Sequence, residues 1–388
     1  MPQEMEKINY CSAGHSSEDF VYSDCKNSIL SIGECSLCTK EHFIQEFKTW
    51  SSGNANIDKI LQESQANNDY YKLQYLSYDN FQNIEHIADG VHGSVYSAEL
   101  ENGIKRKWNF IKQDWDCVLI GQKVALKEIK DSRYNVTKFL KVVKTVQENY
   151  SFTKYYGISK NPSTQNYIII MNLYDDDLHN FLIRNFWDLG WELKLDILKS
   201  IAWLLIILNG KDFINYDLHS GKIFVKTLKI FDSDLRVDLG LSRLNSNNKN
   251  NQIYGSIPYI PPEELRKIKS TNERNNRNIY KWYLDLMYRC WSDDPSERPT
   301  AVELSDLFFD ISEKLFDNIV DNDVMRQLKI ADENQKNTSK SQKQELFELF
   351  SHSSKLHPQS SYIGRYIHTL HGLHDLLEEI KSGNLSVQ

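Results

Sequence analysis

The chain has no long apolar run. Its densest apolar stretch, IAWLLIIL at 201–208, is well short of the ~20 residues a membrane-spanning helix needs. It reads as a buried helix, and no membrane partner is expected. A basic excess is also missing. The net charge is −7 and the pI about 5.9, so a nucleic-acid partner is not favoured. Glycine and proline are sparse, 16 and 8 of 388 residues, which excludes collagen-like and Gly/Pro-rich low-complexity chains. The opening MPQEMEKINY has no apolar core of the secretory kind. A cytoplasmic location with six reduced cysteines is therefore expected. Arginine is absent from the first 80 residues, which hold 6 lysines against 12 acids. That imbalance reads as a solvated, acidic leader.

What is present fits a globular protein, with 40% apolar and 26% charged residues. Four segments are expected. Residues 1–75 form an acidic leader with a cysteine cluster and a helical pattern near 42–64. Residues 76–174 read as strands: FQNIEHIA, GSVYSAEL, KVALKEIK and NYIIIMNL are short, rich in β-branched or aromatic residues, and flanked by turn residues. Residues 175–310 read mostly as helices, with apolar residues near helical spacing. Residues 311–388 read as a polar tail, disordered over 332–343 (DENQKNTSKSQK), with one further helix at 362–380. A strand-rich front and a helix-rich back predict an α+β fold of two lobes.

Several short motifs carry chemistry. In IADGVHGSVY (87–96), Gly90 and Gly93 lie between two strands, where backbone N–H groups can approach phosphates without an intervening Cβ. An ordinary β-turn explains two glycines as well. In VALKEIK (124–130), Lys127 points off one strand face, as a phosphate ligand or as a solvated lysine. In INYDLHSGKIF (214–224), Asp217 can accept a proton from a substrate hydroxyl. In VDLGLSR (237–243), Asp238 stands at a turn suited to a Mg²⁺-binding carboxylate. Glu263 of PPEEL and Arg298 of ERPT suit a structural ion pair.

The order of these motifs says more than any one of them. Glycine loop, strand lysine, Asp-containing loop, D-L-G, P-P-E and R-P-T together resemble the protein kinase fold over about 81–310. The chain is most similar to tyrosine-kinase-like serine/threonine kinases, and among them to a large kinase-like family expanded in mycorrhizal fungi. ECSLC (34–38), FKTWSSGNANIDK (47–59), YGISKNPSTQNY (156–167), DLHSG (217–221) and HPQSSY (357–362) carry that likeness. The resemblance implies that Ala88, Gly90, Gly93 and Val95 cover ATP. Ala125 would pack on the adenine and Lys127 would hold the phosphates. Met171 would stand as gatekeeper before the hinge Asn172, Leu173 and Tyr174. Asp217 would be the catalytic base and Asp238 the Mg²⁺ ligand.

Departures from the kinase pattern are as informative. Val142 falls where a kinase helix offers a glutamate to the strand lysine, and the nearest acid is Glu148. The H-R-D triplet reads Asn215-Tyr216-Asp217. Lys222 replaces the metal-binding asparagine, and an ammonium offers donors but no acceptor to Mg²⁺. From Glu263 to Arg298 the back lobe is short, so the apolar helix at 191–209 is expected to be partly uncovered. These features imply at most one Mg²⁺ site, with Lys222 able to meet a phosphate directly. Cys35 and Cys38 form a Cys-x-x-Cys pair which, with Cys25 and a fourth ligand from His42, Cys11 or His15, suits Zn²⁺. Reduced cysteines in a flexible leader are the alternative. Three functions follow: an impaired kinase or pseudokinase that binds nucleotide and scaffolds signalling, an active serine/threonine kinase, or a zinc-dependent interaction module with a vestigial kinase block. No particular protein partner or substrate is legible.

Overall fold

The computed structural model describes residues 10–15, 33–67, 72–90, 93–130, 135–146, 151–186, 188–210, 213–214, 218–229, 232–239, 243–244, 281–292, 294–339 and 341. They fall into two compact units that divide between Leu173 and Tyr174.

The first unit is built on a six-stranded sheet. Its strands are β1 (Gln74–Tyr75), β2 (Phe81–Gly90), β3 (Gly93–Leu100), β6 (Lys123–Ile129), β7 (Tyr155–Lys160) and β8 (Tyr167–Asn172), in the order β1-β7-β8-β6-β3-β2. Only β1 and β7 pair in parallel. Strand alternation sends Leu100, Ala98, Val124, Leu126, Ile168 and Ile170 into one core on one face. Helix α3 (Val136–Val146) belongs to the other face: its Phe139 meets Tyr155 edge-on at 5.2 Å. Gly157, at φ +146°, lets β1 approach, because a Cβ there would stand 1.8 Å from the Gln74 carbonyl oxygen.

The leader is not a solvated segment over its described part. Helices α1 (Ser36–Glu46) and α2 (Ala55–Ala66) bury Phe43, Ile57, Ile60 and Leu61. The local chemistry of TWSSGNANIDK explains the second helix. Asn54 caps it through its side-chain oxygen, which accepts from the Asn56 and Ile57 N–H groups at 3.0 and 3.4 Å. Gly53 takes a left-handed φ of +81°. Asp58 reaches back to accept from Ser51 Oγ at 2.7 Å and from the Ser52 N–H at 2.8 Å. Trp50 stacks on Tyr75, and Tyr167 Oη donates to the Ser52 carbonyl oxygen, so this element is seated on the sheet.

Burial raises the Asp58 carboxyl, but the serine hydrogen bonds outweigh it and hold the group below its ordinary value. Its contribution is therefore present above the unfolded pKa of about 3.9 and lost as pH falls through the lower folded value. Asp58→Ala should lower stability at pH 7 by about 1–3 kcal/mol. In chemical denaturation the mutant should lose less stability on acidification than the wild type. Equal acid sensitivity would contradict the assignment.

Strands β4 (Ile104–Asn109) and β5 (Asp114–Val118) form a hairpin between β3 and β6 that the sequence reading did not anticipate. It receives α1: Trp108 N–H donates to Thr39 Oγ1 at 3.0 Å, and His42 stacks on Trp108 at 3.5 Å.

The second unit is mainly helical. Its described helices are α4 (Leu178–Asn185), α5 (Trp191–Gly210), α6 (Lys281–Cys290), α7 (Ala301–Phe316) and α8 (Asp323–Asn337). One core joins Trp191, Leu195 and Ala202 of α5 to Leu286, Phe308, Ile311, Met325 and Leu328. Helix α6 thus covers part of α5, while Trp203 stays 56% exposed. The disorder expected over 332–343 is corrected over 332–337: these residues continue α8, and Asp332 Oδ1 accepts from the Trp191 N–H at 2.9 Å. The remaining tail, including the helix expected at 362–380, lies outside the described residues, as does Glu263.

Candidate functional site

Strand register fixes which candidate residues share a face. Ala88 pairs with Val95, Val95 with Lys127, and Ala125 with Met171. Directly opposed residues, and residues two apart on one strand, point the same way. Ala88, Val95, Ala125, Lys127 and Met171 therefore line one face of the first unit's sheet. Leu173 follows the end of β8 and is half-buried. Gly90 and Gly93 close the β2–β3 pairing. Gly93 has a packing duty too, because a Cβ there would stand 1.8 Å from the Glu128 carbonyl oxygen. The Val136–Val146 helix buries Val142, 1% exposed, so no carboxylate occupies that position. Glu148 lies outside the described residues.

In the second unit, β9 (Asp176–Asp177), β10 (Ile223–Lys229) and β11 (Asp232–Val237) form a small sheet. Pairing of Ile223 with Val237 brings the flanking Lys222 and Asp238 together. The Asp238 N–H donates to the Lys222 carbonyl oxygen at 2.9 Å. Lys222 Nζ lies 3.3 Å from Asp238 Oδ2, with side-chain exposures of 19% and 5%. The carboxylate expected to hold Mg²⁺ thus already faces a fixed positive charge. Asp217 and Tyr216 lie outside the described residues.

A second cluster gathers in the leader. Cys11, His15, Cys35 and Cys38 converge, with their ligand atoms within 4.8 Å of one another. The three thiols are 4%, 1% and 3% exposed and pack against Leu37, Trp108 and Phe110. Burial pushes the Cys35 and Cys38 thiols up. It acts on Cys11 as well, where a bond from the His15 N–H and the Cys38 contact leave the thiol below its ordinary value. Cys25 lies outside the described residues. His42, also a candidate ligand, is occupied in stacking on Trp108. Glu128, which sequence reasoning passed over, is a structural anchor. Its buried Oε1 accepts from Thr164 Oγ1 at 2.6 Å and Asn166 Nδ2 at 2.9 Å, holding the β7–β8 turn.

A strand-rich unit with a strand lysine, followed by a helical unit with an aspartate just past a strand end, defines a two-lobed kinase-like α+β fold. Residues 81–276 match the family described as protein tyrosine and serine/threonine kinase, and the chain belongs to that family. It is also similar to "Probable serine/threonine-protein kinase kinX" of Dictyostelium discoideum, at 22% identity over 296 residues. That match covers 63% of this chain and 25% of the relative, so the chain spans about a quarter of that protein's length. Among the described residues, no helix is long and apolar enough to cross a membrane.

Proposed function

We propose that this kinase-family protein binds ATP, transfers phosphate slowly or not at all, and works as a signalling scaffold. The carrying observation is the Lys222–Asp238 pair. A kinase uses its D-L-G aspartate to hold Mg²⁺ on the phosphates. Here an ammonium stands on that carboxylate, so a metal entering must displace it or share it against charge repulsion. Lys222 can instead meet a phosphate oxygen itself. The sheet face of Ala88, Val95, Ala125, Lys127 and Met171 supplies the apolar wall and the cation that an adenine nucleotide requires.

Thermal-shift titration with ATP tests this reading. At a hundredfold excess over Kd, ATP should raise the melting temperature by about 5–10 °C, equally in EDTA and in Mg²⁺. Stabilisation that strictly requires Mg²⁺ would overturn it. The active-kinase reading retains Lys127, Asp217 and Asp238 in its favour. It requires phosphate incorporation that disappears in Asp217→Asn.

A further inference from the structure

We propose that Cys11, His15, Cys35 and Cys38 form a closed, tetrahedral Zn²⁺ site that clasps the leader onto the β4–β5 hairpin. Cys11 Sγ lies 3.5 Å from Cys38 Sγ, and His15 Nδ1 lies 3.3 Å from Cys11 Sγ and 3.4 Å from both Cys35 Sγ and Cys38 Sγ. A tetrahedral ion with zinc–sulfur and zinc–nitrogen bonds of about 2.3 and 2.05 Å sets its ligands roughly 3.6–3.8 Å apart. The cluster is within a few tenths of an ångström of that figure. Paired disulfides do not account for it: a sulfur–sulfur bond is about 2.05 Å long, and three thiols around one imidazole cannot all pair.

The surroundings are built for a cation. His15 Nε2 lies 3.3 Å from Glu41 Oε1. A proton held on Nε2 by that carboxylate leaves the Nδ1 lone pair directed at the thiols, the arrangement of metal-ligating histidines. The Cys38 N–H donates to Cys35 Sγ at 3.4 Å, and the His15 N–H donates to Cys11 Sγ at 3.3 Å. Cys35 also caps the N-terminus of α1, where the helix favours negative charge. Near-complete burial of the three sulfurs leaves no opening for a substrate, so the site is structural rather than catalytic.

The ion would join two stretches that are distant in sequence, 10–15 and 33–38, and seat both on the inserted hairpin. The Phe110 N–H donates to the Gly33 carbonyl oxygen at 2.9 Å, Glu34 bridges to Asn109, and Lys107 pairs with Glu34. From there α1 and α2 continue to the Val136–Val146 helix, where Lys144 Nζ meets Glu63 Oε2 at 2.9 Å. Metal loading would therefore decide whether the leader stays docked on the lobe that carries Lys127.

The test uses the full chain and does not depend on nucleotide binding. Metal analysis of purified protein should give about one zinc per chain. After exchange with Co²⁺, tetrahedral d–d bands and thiolate-to-cobalt charge transfer should appear. Cys11→Ser and Cys35→Ser should each lose the stoichiometric metal, whereas Cys25→Ser should keep it. Chelation of wild-type protein, which avoids any misfolded variant, should shift the emission of Trp108 and Trp115. A chain that binds neither zinc nor Co²⁺, or gives an octahedral cobalt spectrum, would overturn the proposal. So would loss of metal in Cys25→Ser with retention in Cys11→Ser.

Discussion

Lys222→Asn should make the second unit responsive to magnesium. The wild-type chain should show no thermal shift with MgCl₂ alone. The variant should rise by several degrees with MgCl₂, and ATP should stabilise it far more with Mg²⁺ than in EDTA. The reasoning starts from the pair itself. At 3.3 Å and an effective dielectric near 20, the gross attraction is about 5 kcal/mol. Removing one partner of a buried pair typically costs about 3–5 kcal/mol, because the remaining charge is left poorly compensated. Metal-free Lys222→Asn should therefore be less stable than wild type. Asparagine adds an amide oxygen, so the variant has two oxygen ligands where the wild type has one oxygen and an ammonium. If both proteins respond alike to Mg²⁺, the lysine does not exclude the ion and the impaired-kinase reading fails. Slow phosphate incorporation that appears only in the variant would locate the defect at this position.

The strands that carry the nucleotide-binding candidates were legible because KVALKEIK, GSVYSAEL and NYIIIMNL are short and rich in β-branched and aromatic residues. Their register was not legible, and it is register that puts Ala88, Val95, Lys127 and Met171 on one face. The β4–β5 hairpin was hidden for a different reason. Its strands, IKRKWN and DWDCV, are dense in charge, and the left-handed residue of the turn joining them is Gln113, not glycine. The usual turn signal was therefore missing. The leader's acidity suggested solvation, yet Glu46 is bonded by Lys105 and Glu63 by Lys144. Net charge gives no information on such pairings. Cys11 and His15 were legible only as alternatives for one ligand, and spacing does not show that both converge with Cys35 and Cys38. Lys222 stood out as an anomaly in the sequence. Its contact with Asp238 depends on a strand pairing that spacing alone does not specify.

Leu328→Ala should destabilise the second unit by about 2–5 kcal/mol, the cost of emptying a buried leucine site. Helix α8 looks dispensable in sequence: DVMRQLKIADENQKN is mostly polar, and among its described residues three are buried, with Val324 packed beside them. Those three are Met325, Leu328 and Ala331, at 1%, 0% and 6% exposure. Their three-residue spacing lays one narrow stripe on the core around Trp191 and Leu195. Asp332 ties the same helix to the start of α5 through the Trp191 N–H. Among the described residues, α6, α7 and α8 are the helices that share this core with α5. Ile330→Ala is the control, because Ile330 is 54% exposed and a surface change of that kind usually moves stability by less than about 0.5 kcal/mol. Hydrogen exchange on α5 separates the outcomes. Opening of α5 should accelerate in Leu328→Ala and stay unchanged in Ile330→Ala. Equal effects from the two substitutions would mean that α8 does not hold the unit together.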